Sequence, residues 1–104
     1  MEFSTLYRTK TLDQFSEADI DSTVKVAGWV ENIRDHGGVS FIDLRDMQGV
    51  MQVVMRDTTL LDGISKEDCI SIEGLVEKRD EDTINPKIAT GTIEVEAKKV
   101  TILG

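Results

Sequence analysis

One cysteine, one histidine and one proline stand among 104 residues. Cys69 alone cannot form an internal disulfide or a multi-cysteine zinc site. His36 alone removes most metal-ligand and catalytic-triad arrangements. No apolar run reaches membrane-spanning length. Met1–Lys10 carries charges with no apolar stretch behind them, so no secretory signal peptide is expected. The phosphate-binding P-loop, the dinucleotide glycine pattern and the HExxH zinc motif are missing too. Bases are in deficit: 12 Lys and Arg against 20 Asp and Glu give a net charge of −8. A sequence-blind grip on phosphates needs a basic surface. Any hold on nucleic acid must therefore come from a local patch, with help from another domain. The cysteine and histidine counts fit a reducing, cytoplasmic setting.

What is present is a strand-rich chain long enough for one domain, residues 1–104. Hydrophobic residues make up 39%, enough for a small core and too many for a disordered chain. Thr11-Leu-Asp-Gln14 has the form of a capping box, which predicts a helical turn at Leu12–Phe15 closing one end of the core. Ser16–Ser22 reads as a loop or one further turn. Strand one is expected over Thr23–Ile33, with a bend or bulge at Gly28. The turn His36-Gly37-Gly38 leads into strand two, Ser40–Asp46. The turn Met47-Gln48-Gly49 leads into strand three, where Met51, Val53 and Met55 share a face. Leu60, Leu61 and Ile64 suit a short helix weakened by Gly63. Strand four is read at Cys69–Lys78, interrupted by Gly74. Arg79–Gly91 is a long polar loop with Pro86. Strand five, Thr92–Leu103, changes phase between Ala97 and Val100, so a bulge is expected near Lys98–Lys99.

Side-chain alternation puts Ile42 and Leu44 on one face of strand two and Phe41, Asp43 and Arg45 on the other. Gln52 also looks outward. Strand one carries Val24, Val26 and Val30 in phase with Asn32 and Arg34, so its face turns polar at the end. An outward aromatic flanked by Arg and Gln is what stacking on a base and reading its edge require. The plainer reading is a lone Phe packed under a loop or neighbouring domain. Five strands in this order must close or leave edges. The all-β, five-stranded Greek-key OB barrel closes them, with a short helix between strands three and four and its binding face on strands two and three. Asp43/Asp46 and Asp80/Glu81/Asp82 are carboxylate clusters read as charged surface. Without a nucleophile–base pair beside them no catalytic residue is assigned.

The stretch GWVENIRDHGGVSFIDLRDMQGVMQVV, from Gly28 to Val54, closely resembles the N-terminal anticodon-binding domain of bacterial-type aspartyl-tRNA synthetase, a class II enzyme. Gly74–Arg79 and INPKIATGTIEVEA, Ile84–Ala97, agree with it, and the resemblance runs from Tyr7 to the last strand. It implies that Phe41 stacks on an anticodon base and that Arg34 and Gln52 hydrogen-bond the bases. It also implies that Glu94 contacts the first anticodon base, and that Arg79 contacts a base near the third letter. His36 and Thr83 stand where the family varies with its reading of that third letter, so acceptance of both tRNA-Asp and tRNA-Asn is implied. The other reading of His36 is a turn residue with no such role. Glu31-Asn32-Ile33 replaces a run of arginines common in relatives, and Glu77 stands where a base is often found. The resemblance implies no cofactor or metal in this domain. The resemblance implies that ATP and Mg belong to the parent family's catalytic domain, which is expected to be absent from this chain, and that the parent enzyme is a homodimer. The chain alone is expected to be non-catalytic. Two alternatives stay open: a freestanding OB-fold protein for other single-stranded nucleic acid, or a protein-interaction barrel, which the −8 charge favours.

Overall fold

The computed structural model of the chain describes residues 8–104, and Tyr7, where the family resemblance begins, lies outside the described residues. Five strands are present: β1 (Thr23–His36), β2 (Val39–Arg45), β3 (Val50–Met55), β4 (Cys69–Lys78) and β5 (Ile93–Ile102). They close in the order β1-β2-β3-β5-β4, with β3 and β5 parallel and the other neighbours antiparallel. This is the barrel the strand inventory requires, with no edge left exposed.

Alternation fills the interior. Val24, Val26 and Val30 of β1 meet Ile42 and Leu44 of β2, Met51, Val53 and Met55 of β3, Ile70, Ile72 and Val76 of β4, and Ile93 and Val95 of β5. Each such side chain contributes about 1.5–3 kcal/mol by leaving water. Leu12 and Phe15 close one end. Leu12 sits in a 3-10 turn, Leu12–Gln14, where Gln14 Oε1 accepts the Thr11 N–H at 3.0 Å. A second such turn covers Glu17–Asp19.

Asp46 holds the Leu12 turn in place and is a correction to the surface reading of the Asp43/Asp46 pair. It is 3% exposed. Its Oδ2 accepts the Leu12 N–H at 2.9 Å, and its Oδ1 accepts the N–H groups of Gln48 and Gly49 at 2.8 Å each. Asp46 therefore ties the β2–β3 turn to the end plug; it is not a solvated charge.

The segment between β3 and β4 holds one 3-10 turn, Thr58–Leu61, where a short helix was expected. Gly63 follows at φ +81°, a conformation that ends any helix. Leu60, Leu61 and Ile64 still pack on the core as their spacing predicts.

The glycines act by permitting close approach, and neither strand is interrupted at them. β1 pairs with β4 from Thr23 to Trp29 and with β2 from Trp29 to His36, so it turns a corner of the barrel at Gly28. A Cβ on Gly28 would lie 2.2 Å from the Arg45 carbonyl oxygen, and one on Gly74 would lie 2.2 Å from that of Glu96. Two bulges set the phases. In β5 the extra residue is Lys98, since Glu73 faces Lys99 and Gly74 faces Ala97, as the phase change predicted. In β1 the extra residue is Glu31, between Val30 facing Leu44 and Asn32 facing Asp43, three positions beyond Gly28. The Glu31 bulge corrects the reading of the β1 faces: Ile33 now points inward with Val30, while Asn32 and Arg34 move to the outer face.

Candidate nucleic-acid interface

The bulge brings Arg34 opposite Phe41, and β2–β3 pairing then puts Asp43 opposite Gln52. On the far side β5 runs parallel to β3, with Val54 facing Glu96, so Glu94 lies near Gln52. Arg34, Phe41, Asp43, Gln52 and Glu94 thus come from four segments onto one outer face. Against this face stands the segment between β4 and β5. The Thr90 hydroxyl pins it to β3 by donating to the Val50 carbonyl. Between sheet and segment lies a groove of about 710 Å³ whose walls include Arg34, Asp43, Gln52, Arg79 and Thr83.

A continuous polar network lines its floor. Arg34 Nη2 donates to Asp43 Oδ1 at 2.9 Å and to Gln52 Oε1 at 3.2 Å. Arg79 Nη1 donates to the same Gln52 Oε1 at 3.3 Å and to the Thr83 carbonyl at 2.8 Å. Arg79 Nε donates to the Ile93 carbonyl at 2.7 Å. Gln52 Nε2 donates to Glu94 Oε1 at 2.9 Å. Two guanidinium groups on one amide oxygen fix the Gln52 orientation, because Arg can only donate. Gln52 shares the outer face of Phe41, as its alternation predicts, but is 2% exposed; the amide forms the bottom of the groove.

Electrostatics follow from this burial. Arg79 is 6% exposed, and desolvation lowers its pKa against the pull of Glu94 and Asp43. Burial pushes the Glu94 carboxyl up to about 7, and a hydrogen bond with Glu77 on β4 adds in the same direction while Gln52 opposes it. Arg56, at the end of the sheet, is clamped by Glu77 at 2.9 Å and Glu96 at 2.6 Å, which raises its pKa. Among buried side-chain nitrogens and oxygens of the described residues, Arg34 Nε alone has no hydrogen-bond partner. Buried donors left in this way cost about 1–3 kcal/mol and mark sites where a ligand acceptor would be favoured.

Phe41 stands beside the groove, half-buried. The Arg34 guanidinium carbon lies 5.7 Å from its ring centroid, and the His36 ring meets it edge-on at 5.5 Å and 74°. Arg34 and His36 line the groove and Phe41 does not, so the ring sits at the lip. Thr83 lies across the groove in the 3-10 turn Glu81–Thr83, its hydroxyl donating to the Asp80 carbonyl at 3.1 Å. The seven residues singled out in the sequence thus surround or adjoin one groove. Arg45, the outward Arg that alternation in strand two set beside Phe41 as a base-reading group, lines it as well, and so do Asp43, Glu31 and Lys66, to which the sequence assigned no such role. The shared parity of Asp43 with Phe41 was a usable signal for that residue.

No helix among the described residues is long and apolar enough to cross a membrane. Residues 24–103 match the tRNA anticodon family of OB-fold nucleic acid binding domains. Aspartate–tRNA(Asp/Asn) ligase of Mycolicibacterium gilvum is 47% identical over 102 residues, covering 95% of this chain and 17% of the relative. This chain therefore spans about a sixth of the length of such relatives. Among solved structures, an OBody bound to hen egg-white lysozyme superposes with TM-score 0.79 at 24% identity, over 93% of this chain and 94% of that one. Aspartyl tRNA synthetase from Entamoeba histolytica superposes with TM-score 0.76 at 18% identity, over 89% of this chain and 20% of that one. At these identities the two structures speak for the fold. With the family's profile matched from the first core residue of β1 to the end of β5, the chain belongs to the tRNA anticodon family of OB-fold nucleic acid binding domains.

Proposed function

We propose that this chain reads the anticodon loop of tRNA-Asp as the N-terminal module of an aspartate–tRNA ligase. The observation that carries the reading is the Arg34–Gln52–Arg79–Glu94 network, laid along one groove with an aromatic ring at its lip. Single-stranded bases can enter such a groove, stack on Phe41 and present their edges to donors and acceptors held in fixed positions. Arg34 and Gln52 offer the paired groups that base edges demand, and Glu94 offers an acceptor to the first base. Arg79 and the Thr83 segment stand where the third letter would be met. Acceptance of tRNA-Asn as well is supported by His36 beside the ring, and by the Asp/Asn specificity in the name of the relative from M. gilvum. In this reading ATP and Mg act on the catalytic domain of such a ligase, which is expected to be a cytoplasmic homodimer.

The test is binding of a fluorescent anticodon stem-loop of tRNA-Asp against one with the same stem and a scrambled loop. Preference for the first is expected. Equal binding of both would favour a freestanding single-strand binder. Binding of neither would favour a protein-interaction barrel.

A further inference from the structure

Glu31 is the residue that the bulge adds to β1, and its carboxylate reaches across the strand pair to Arg45 of β2. Bulges commonly re-aim a side chain in this way. Arg45 Nε donates to Glu31 Oε2 at 2.5 Å and Nη2 donates to Oε1 at 3.3 Å. Two-point pairing of this kind fixes the plane of the guanidinium as well as its charge. Both residues line the groove. Both are also solvent-facing, with side chains 42% and 43% exposed, so Arg45 stands where a phosphate entering the groove would meet it. Arg34, by contrast, is tied inward to Gln52 and works with the base-reading floor.

A free guanidinium at such a wall attracts the phosphodiester backbone whatever the bases are. Holding it on a carboxylate removes that attraction without moving the network beneath. We infer that Glu31 is a specificity-determining residue, which occupies Arg45 and so denies single-stranded RNA a sequence-blind hold on the groove wall. This rests on the anticodon-reading function proposed above. Non-cognate RNA has no register imposed by its bases, so it takes whatever position meets a released Arg45 and gains at least as much as cognate RNA does.

The experiment uses the scrambled-loop stem-loop RNA, titrated at several salt concentrations. Glu31→Ala is expected to tighten its binding severalfold at low salt. The slope of log affinity against log salt should steepen by about 0.7, the value for one added phosphate contact on a single strand. Glu31→Ala/Arg45→Ala should return both quantities to those of the unsubstituted chain. Glu73→Ala makes the same charge change on an acid that pairs with Lys25 outside the groove, and should give no such gain. The inference is overturned by an unchanged Glu31→Ala, by a gain that survives loss of Arg45, or by an equal gain from Glu73→Ala. Failure of the anticodon reading is seen separately, as equal binding of cognate and scrambled loops by the unsubstituted chain.

Discussion

Gln52 donates its amide N–H to Glu94 at 2.9 Å across the seam where β3 and β5 run parallel, and both side chains are buried. The bond links a buried amide on the groove floor to a carboxyl whose proton affinity the fold raises.

That carboxyl makes stability depend on pH. Its folded pKa of about 7 lies above the ordinary 4.5, because burial and Glu77 disfavour the charged form. The folded state then binds the proton more tightly than the unfolded chain. The contribution is complete below pH 4.5 and is lost as pH rises towards 7. Glu94→Gln keeps an acceptor for Gln52 and removes the charge. Urea denaturation should find the variant equal to the unsubstituted chain near the lower limit, and more stable by roughly 1–3 kcal/mol above the upper one. A constant difference across that range would contradict this account.

Phe41 should matter to RNA far more than to folding. Stacking of a base on an aromatic ring is worth about 1–3 kcal/mol. Phe41→Ala should weaken binding of the tRNA-Asp anticodon stem-loop roughly tenfold or more in fluorescence anisotropy. Because the ring is half-buried at the outer face, the thermal midpoint should fall only modestly.

Arg79 should behave in the opposite way. Its guanidinium serves the Ile93 and Thr83 carbonyls and the Gln52 amide from a buried position. Arg79→Lys keeps the charge but not the planar fork that reaches several acceptors. Leaving buried acceptors unmet should cost about 2–4 kcal/mol in urea denaturation. RNA binding should fall with it, since the 80–91 segment loses its tether at Thr83 and keeps only ties such as that of Thr90 to Val50. Equal stability of the variant would show that the tether is dispensable.

Gly28 is a packing requirement, because the Arg45 carbonyl oxygen stands 2.2 Å from where a Cβ would be. Gly28→Ala must push β1 away from β2. Overpacking of this sort costs about 1–3 kcal/mol and often more against backbone. Calorimetry should show a lowered midpoint, and a neutral outcome would mean the corner is pliable.

The strands were legible because each carries a period-two pattern bounded by glycine turns. The β5 bulge was legible too, since Ile93, Val95 and Ala97 fall out of phase with Val100. The β1 bulge was not. After Glu31 only Ile33 is apolar, and a single residue cannot reveal a phase change. Nor could parity report that Gln52 is covered, because its partners Arg79 and Glu94 lie far along the chain. Asp46 looked like surface charge because its partner Leu12 lies far away in sequence. Phe41, Arg45 and Gln52 were legible from alternation and chemistry, Arg34, His36, Arg79, Thr83 and Glu94 only through the resemblance to a family, and the depth of each was set by contacts that no local pattern encodes.

The parallel ladder between β3 and β5 holds two paired positions, Val53 with Val95 and Val54 with Glu96. Every other joint of the cylinder is longer. Thermal breathing should therefore concentrate along this line, with the Gln52–Glu94 bond acting as a rivet beside it. An RNA strand lying over the rivet would clasp the cylinder shut, so occupancy of the groove and rigidity of the whole wall are expected to rise together.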